Sequence, residues 1–193
     1  MIKPEEKELI VIGGSAGSLQ VLLQIIKQLP TDFAIPIVIV VHRQRNVLSE
    51  FTTILTNAFK NRTIVEPDDK SWIEEGCVYV APQNYHLLIE ADYTFSLDYS
   101  EPVKFSRPSI DVTFESAANV FKSNLTAVLV SGANNDGTAG LARVLQHGGS
   151  VIAQDPETAE FPAMPAAAIA AVSGIVVLSP EEIVAYFKNI NTK

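Results

Sequence analysis

Cysteine is almost missing: Cys77 is the single one among 193 residues, so no disulfide can form within the chain. It lies in the apolar run Cys77-Val78-Tyr79-Val80-Ala81, the setting of a buried structural thiol rather than a nucleophile. Histidine occurs 3 times, never at the short spacing of a zinc motif, so neither a metal nor any other cofactor is expected. A Lys/Arg cluster is missing as well. Lys+Arg number 14 against 22 Asp+Glu, a net charge of −8, which argues against nucleic acid and anionic membrane surfaces as partners because both need a basic patch to neutralise phosphate. No run approaches about 18 apolar residues, and Met1 to Glu8 carry charges of both signs without the apolar stretch of a signal peptide. The expectation is a cytoplasmic chain with no direct membrane insertion.

What is present is apolar sequence in short runs. At 47% apolar content the chain is long enough for one well-packed core and short for two, so a single domain over residues 1–193 is expected. β-Branched runs over 9–12 and 37–41 alternate with helical periodicity over 19–29 and 47–59. This rhythm predicts an α/β fold: a doubly wound, mostly parallel sheet with helices on both faces, its strands continuous apolar runs because both faces are covered. Between 63 and 106, short runs at 77–81, 86–90 and 94–97 are separated by the turn residues Ala81-Pro82-Gln83-Asn84 and Ala91-Asp92, which predicts an appended antiparallel hairpin region. From 109 the alternation resumes, with helices over 109–122, 139–146 and 163–172 and strands over 127–130, 151–153 and 175–178. A last helix starts at Pro180 with Ser179 as its N-cap.

The run Leu9-Ile10-Val11-Ile12-Gly13-Gly14-Ser15-Ala16-Gly17-Ser18 carries the first sign of chemistry. An apolar strand ending in a glycine-flanked serine and turning into a helix presents a nucleophilic hydroxyl beyond the sheet edge, and the N–H groups that open the helix can stabilise an oxyanion. A dinucleotide-binding turn is the competing reading. It needs glycines at the first, third and sixth positions, and after Gly13 the second and third are Ser15 and Ser18. In an open parallel sheet, functional groups gather beyond the carboxyl ends of strands. The second strand ends at His42, and the strand over 127–130 leads into Ser131-Gly132-Ala133-Asn134-Asn135-Asp136-Gly137. A hydroxyl, an imidazole and a carboxylate on one edge supply the parts of nucleophilic catalysis. A blander reading stands beside it, in which His42 is a packed or solvated residue and Asp136 caps the helix that follows. His86 fits either the crevice or solvent, and His147, before Gly148-Gly149, needs no more than a favourable helix-dipole contact.

These segments resemble the chemotaxis protein-glutamate methylesterases. The family's opening I-G-A-S-T-G-G stands here as Ile12-Gly13-Gly14-Ser15-Ala16-Gly17-Ser18, its V-Q-H as Val40-Val41-His42, and its Y-[IV]-A-P-x-x-x-H as Tyr79-Val80-Ala81-Pro82-Gln83-Asn84-Tyr85-His86. Its R-P-S-[VI]-D-V is Arg107-Pro108-Ser109-Ile110-Asp111-Val112, and its L-[TS]-G-M-G-x-D-G-x-x-G loop is similar to Val130 through Gly140. The later A-Q-[DN]-x-x-[TS] and G-M-P segments fall on Ala153 to Thr158 and on Ala163-Met164-Pro165. The matches run in order over nearly the whole chain.

The resemblance implies a Ser15, His42, Asp136 triad that hydrolyses glutamate γ-methyl esters on the cytoplasmic helices of methyl-accepting chemoreceptors and releases methanol, with glutamine deamidation as a secondary activity. Beside the triad, His86, Arg107 and Met164 are expected to bind substrate, with Arg107 alternatively a partner for Asp111, and Ala16 and Ala133 are expected at the oxyanion site. Arg43, Arg45 and Arg107 are the local cations expected to offset the acidic charge near an acidic receptor. Ala133 and Asn134 replace the Met and Gly of the family's loop, Ala16 a Thr, Ser18 a Gly, and Ala163 the Gly before Met164. Family members usually carry an N-terminal receiver domain. None is expected here, so the site is expected to be open unless a separate regulatory protein controls it. Two alternatives stay open: a related esterase with another substrate, and a catalytically silent interaction module.

Overall fold

The apolar run after Glu8 forms β1 (Leu9–Gly14), all six residues of which are buried. In the computed structural model, which describes residues 7–43 and 49–191, eight further strands follow. They are β2 (Ile37–Val41), β3 (Ile64–Val65), β4 (Val78–Val80), β5 (His86–Ile89), β6 (Phe95–Asp98), β7 (Leu125–Leu129), β8 (Ser150–Gln154) and β9 (Val176–Leu178). Seven make one sheet in the order β3-β4-β2-β1-β7-β8-β9, and every pairing in it is parallel. The helices are α1 (Ser18–Gln28), α2 (Phe51–Ala58), α3 (Ile110–Phe121), α4 (Thr138–Gln146), α5 (Ala163–Ala171) and α6 (Pro180–Ile190).

Side chains alternate across the sheet, as the pleat requires. Leu9 and Val11 pack with Phe114, Leu141 and Ala168 beneath α3, α4 and α5. Ile10 and Ile12 pack with Leu22, Ile25, Leu55, Ile183 and Phe187 beneath α1, α2 and α6. Burying each such aliphatic side chain contributes about 1.5–3 kcal/mol, so β1 is the seam that joins both halves of the core. The predicted cap of the last helix forms as a full capping box, with Ser179 and Glu182 exchanging side-chain-to-backbone bonds and Pro180 in the first turn. Among the described residues no helix is long and apolar enough to cross a membrane.

The middle of the chain departs from expectation at one strand. The run over 77–81, expected in the hairpin region, instead supplies β4, which pairs in parallel with both β2 and β3. All three of its residues are buried, so it belongs where both faces are covered. Among the described strands, β5 and β6 form the antiparallel pair. β3, two residues long, is too short to leave a periodic signal. The first part of the predicted helix over 47–59 falls at 44–48, outside the described residues.

The strand order reverses beside β1. From β1 the chain crosses to β2 on one side, whereas from β7, on the other side of β1, it crosses away to β8. The loops leaving β1 and β7 therefore diverge and open a crevice beyond their carboxyl ends.

Candidate active site

Ser15 stands one residue past β1 and His42 one residue past β2. The parallel register pairs Gly14 with Val41, which sets the two side by side, and the His42 N–H donates to the Gly14 carbonyl at 3.3 Å. The turn after Gly14 has no room for side chains. A Cβ on Gly14 would lie 2.7 Å from that of Ser18 and 2.8 Å from Val130 Cγ2, and Gly17, at φ +73°, would meet Ser131 Oγ at 2.7 Å. Ser131 fastens the turn to the neighbouring loop. Its carbonyl accepts from the Ser15 N–H at 2.9 Å, and its hydroxyl donates to the Ala16 carbonyl at 2.8 Å while accepting from the Phe161 N–H at 2.9 Å. The Gln154 side chain accepts from the Ser131 N–H at 2.9 Å.

Asp136, fully buried, reaches the same crevice from the loop after β7, and its Oδ2 lies 2.8 Å from His42 Nε2. The carboxylate is seated on the start of α3. Oδ2 also accepts from the Ile110 N–H at 2.7 Å, and Oδ1 accepts from the Asp111 N–H at 3.2 Å, the Gly137 N–H at 3.1 Å and the Ser109 hydroxyl at 3.0 Å. Burial pushes this carboxyl up, but the bonds from His42, Ile110 and Asp111, together with the charge of the imidazole, outweigh it and hold the group at about 2. Asp136 is therefore ionised and is the anionic cap of α3, not of the helix that follows it. That following helix, α4, is held by Asp111, whose Oδ1 accepts from the Gly140 N–H at 2.8 Å. Burial raises the Asp111 carboxyl, and Lys104 at 2.6 Å opposes the rise. The two acids cross-cap two helices. Their close approach leaves Gly140 no space for a Cβ, which would lie 2.6 Å from that of Phe114.

With Nε2–H given to Asp136, the imidazole lone pair is on Nδ1. The Asn134 side-chain amide nitrogen lies 3.5 Å from that atom, while its Oδ1 accepts from the Asp136 N–H at 3.1 Å. The Ser15 hydroxyl makes no hydrogen bond with a described residue, and the same holds for the N–H groups of Ala16 and Ala133.

Three other predicted site residues are placed differently. Arg107 is buried, donates to the carbonyls of Tyr99 at 2.9 Å and Ser100 at 2.5 Å, and stacks 3.9 Å from the Tyr99 ring centre. It braces the chain after β6 instead of facing a substrate, and Lys104 takes the expected place beside Asp111. Met164 is fully buried and packs over Gly132, where a Cβ would meet its sulfur at 2.5 Å. It supports the loop after β7 from beneath rather than lining the crevice. His86 is also buried, facing Ser109 and not solvent. Of the cations expected near the site, Arg43 is committed to Glu66 at 2.7 Å and to the Ala81 carbonyl, and Arg45 lies outside the described residues. His147 bonds the Arg143 carbonyl at the end of α4, as a helix-end residue should.

The residues that sequence reasoning missed are supports: Ser109, Lys104, Ser131 and Asn134. Ser109 before an apolar helical run is an N-cap pattern visible in the sequence. Its hydroxyl does not cap its own helix, however, and its partner is 27 residues away.

Fold and site together define a class: a doubly wound α/β protein with a serine, an imidazole and a carboxylate at the topological switch point of its sheet. Comparison with known proteins narrows it. The family model of CheB methylesterase matches residues 10–187. A putative protein-glutamate methylesterase/protein-glutamine glutaminase of Leptospira interrogans is 49% identical over 180 residues, covering 93% of each chain. One from Thermotoga maritima is 36% identical over 165 residues, covering 84% of this chain and 48% of that protein. The crystal structure of the Thermotoga maritima CheB methylesterase catalytic domain superposes with a TM-score of 0.87 at 32% identity, covering 95% of this chain and 98% of the other. The chain belongs to the CheB methylesterase family.

Proposed function

We propose that this protein is a cytoplasmic serine esterase that hydrolyses glutamate γ-methyl esters on the helices of methyl-accepting chemoreceptors, with Ser15, His42 and Asp136 as its triad. The observation that carries the reading is the 2.8 Å bond between a buried, ionised Asp136 and His42, which the β1–β2 register sets beside Ser15. Family membership supplies the substrate class.

The bonding pattern sets the order of events. His42 Nδ1 takes the Ser15 proton as Oγ adds to the ester carbonyl, and Asp136 holds the resulting imidazolium through Nε2–H. This reverses the ring relative to the serine-protease arrangement, in which the acid sits on Nδ1. The tetrahedral oxyanion is received by the N–H groups of Ala16, directly after the nucleophile, and of Ala133. The C–O bond to the methoxy group breaks, and its oxygen leaves as methanol with the proton from Nδ1. Water then gives a proton to Nδ1, attacks the acyl-enzyme and frees the glutamate carboxylate and Ser15. A glutamine amide follows the same path with ammonia as leaving group, a harder step because nitrogen must be protonated to depart.

Methanol release from methylated receptor membranes is the test. Wild-type protein should release methanol and be labelled by a fluorophosphonate, and Ser15→Ala should do neither while keeping its melting transition. Undiminished turnover by Ser15→Ala would assign the chemistry to another nucleophile.

A further inference from the structure

We infer that His86 is a positioning residue for the His42–Asp136 pair, acting through Ser109; the inference rests on the triad reading above. His86 opens β5 and is only 1% exposed. Its Nδ1 lies 3.2 Å from the Ser109 peptide nitrogen, and its Nε2 lies 3.1 Å from the Glu101 carbonyl oxygen. A peptide N–H can only donate, so Nδ1 is the acceptor, the ring proton is on Nε2, and Nε2–H donates to Glu101.

Ser109 is where the chain turns into α3, with φ −105° and ψ 137°. Three of the bonds that seat the Asp136 carboxylate begin at this turn: the Ser109 hydroxyl at 3.0 Å, then the N–H groups of Ile110 at 2.7 Å and Asp111 at 3.2 Å. The ring thus sets where α3 starts, the start of α3 sets the carboxylate, and the carboxylate sets the imidazole of His42. His86 is itself held on a fixed ladder. Thr113 donates to the Leu87 carbonyl at 2.8 Å, and the Ile89 N–H donates to Ser116 Oγ at 3.1 Å. Residues 109, 113 and 116 lie on one face of the start of α3, so the β5 backbone runs along that face. A shift of about 1 Å in a catalytic group costs on the order of 100-fold in rate, and loss of the His86 acceptor releases the Ser109 peptide N–H.

Two substitutions separate positioning from space-filling. In His86→Asn the side-chain oxygen takes the place of Nδ1 and still accepts from Ser109. In His86→Gln the amide takes the place of Nε2, keeps Glu101 and leaves the Ser109 N–H without an acceptor. The rate of fluorophosphonate labelling at Ser15 reads the base directly, without receptor binding. His86→Asn should label within about threefold of wild type and His86→Gln about 10- to 100-fold more slowly, with Ser109 amide exchange fast in Gln and slow in Asn and wild type. A space-filling role predicts the reverse order, because Gln is nearer to His in volume. Equal labelling by both variants, or a faster Gln variant, would overturn the inference. So would a tenfold loss in His86→Asn, which is the deciding comparison if His86→Gln does not fold. Labelling that is absent from wild type or survives in Ser15→Ala would instead overturn the triad.

Discussion

Replacing Asp136 by Asn changes one atom in the most connected side chain of the site, and the structure says which way the amide turns. With its NH2 in the place of Oδ1, it would face the N–H groups of Asp111 and Gly137 and leave both unpaired. In the place of Oδ2 it would oppose only the N–H of Ile110 and would point at His42. The Ser109 hydroxyl can reverse to suit either. Each buried donor left unpaired costs about 1–3 kcal/mol, so the second orientation wins by about that amount. His42 Nε2 must then accept rather than donate, the ring proton moves to Nδ1, and the base is lost. In the serine-protease template the same change of tautomer lowers kcat by about 10⁴-fold, and a loss of that order is expected here. One opposed N–H and the lost charge–helix attraction together cost about 2–4 kcal/mol, a fall in Tm of about 5–15 °C for a domain of this size. Methanol release and thermal unfolding of Asp136→Asn measure both. A variant melting within 2 °C of wild type and turning over within about tenfold would refute the seating of Asp136 on α3 and the tautomer argument with it.

The low value of the Asp136 carboxyl, about 2, fixes a pH window. Its folded value lies below the unfolded one of about 3.9, so its stabilisation is complete above about pH 4 and is lost as pH falls through about 2. The stability gap between wild type and Asp136→Asn, followed by urea unfolding, should narrow by about 2 kcal/mol over that interval; a constant gap would contradict it. Gly17→Ala places a Cβ at φ +73° within 3 Å of Ser131, Glu160 and Phe161 and should cost about 2–4 kcal/mol along with slower fluorophosphonate labelling; a loss under about 0.5 kcal/mol would show that the turn adapts. Ser179→Ala breaks the capping box and should cost about 1 kcal/mol with methanol release unchanged; a drop in release would tie the far end of β9 to the site.

Periodicity and local turn chemistry determined much of this protein without any tertiary information. Continuous β-branched runs marked β1 and β2 as strands covered on both faces, and the glycines around Ser15 announced a turn too tight for side chains. The Ser179-Pro180 start of α6 was equally local. The triad candidates were legible because strand ends in a parallel sheet converge, so a serine, a histidine and an aspartate at three such ends share a crevice whatever the loops do.

Tertiary structure decided where neighbours came from. β4 joined the parallel sheet because burial on both faces outweighed the short spacers around it. Arg107 turned to backbone carbonyls, Met164 packed under Gly132, and Lys104 took Asp111, since each buried polar or apolar group settles with whatever partner the fold brings within reach. Asp136 illustrates the limit most sharply. Its sequence neighbours pointed to a cap on α4, yet the helix it caps is α3, because the packing of two helices across a glycine contact set which N-terminus its charge would meet. Local sequence encodes conformation through short-range sterics and hydrogen bonds; the choice among distant partners is made only when the chain is folded.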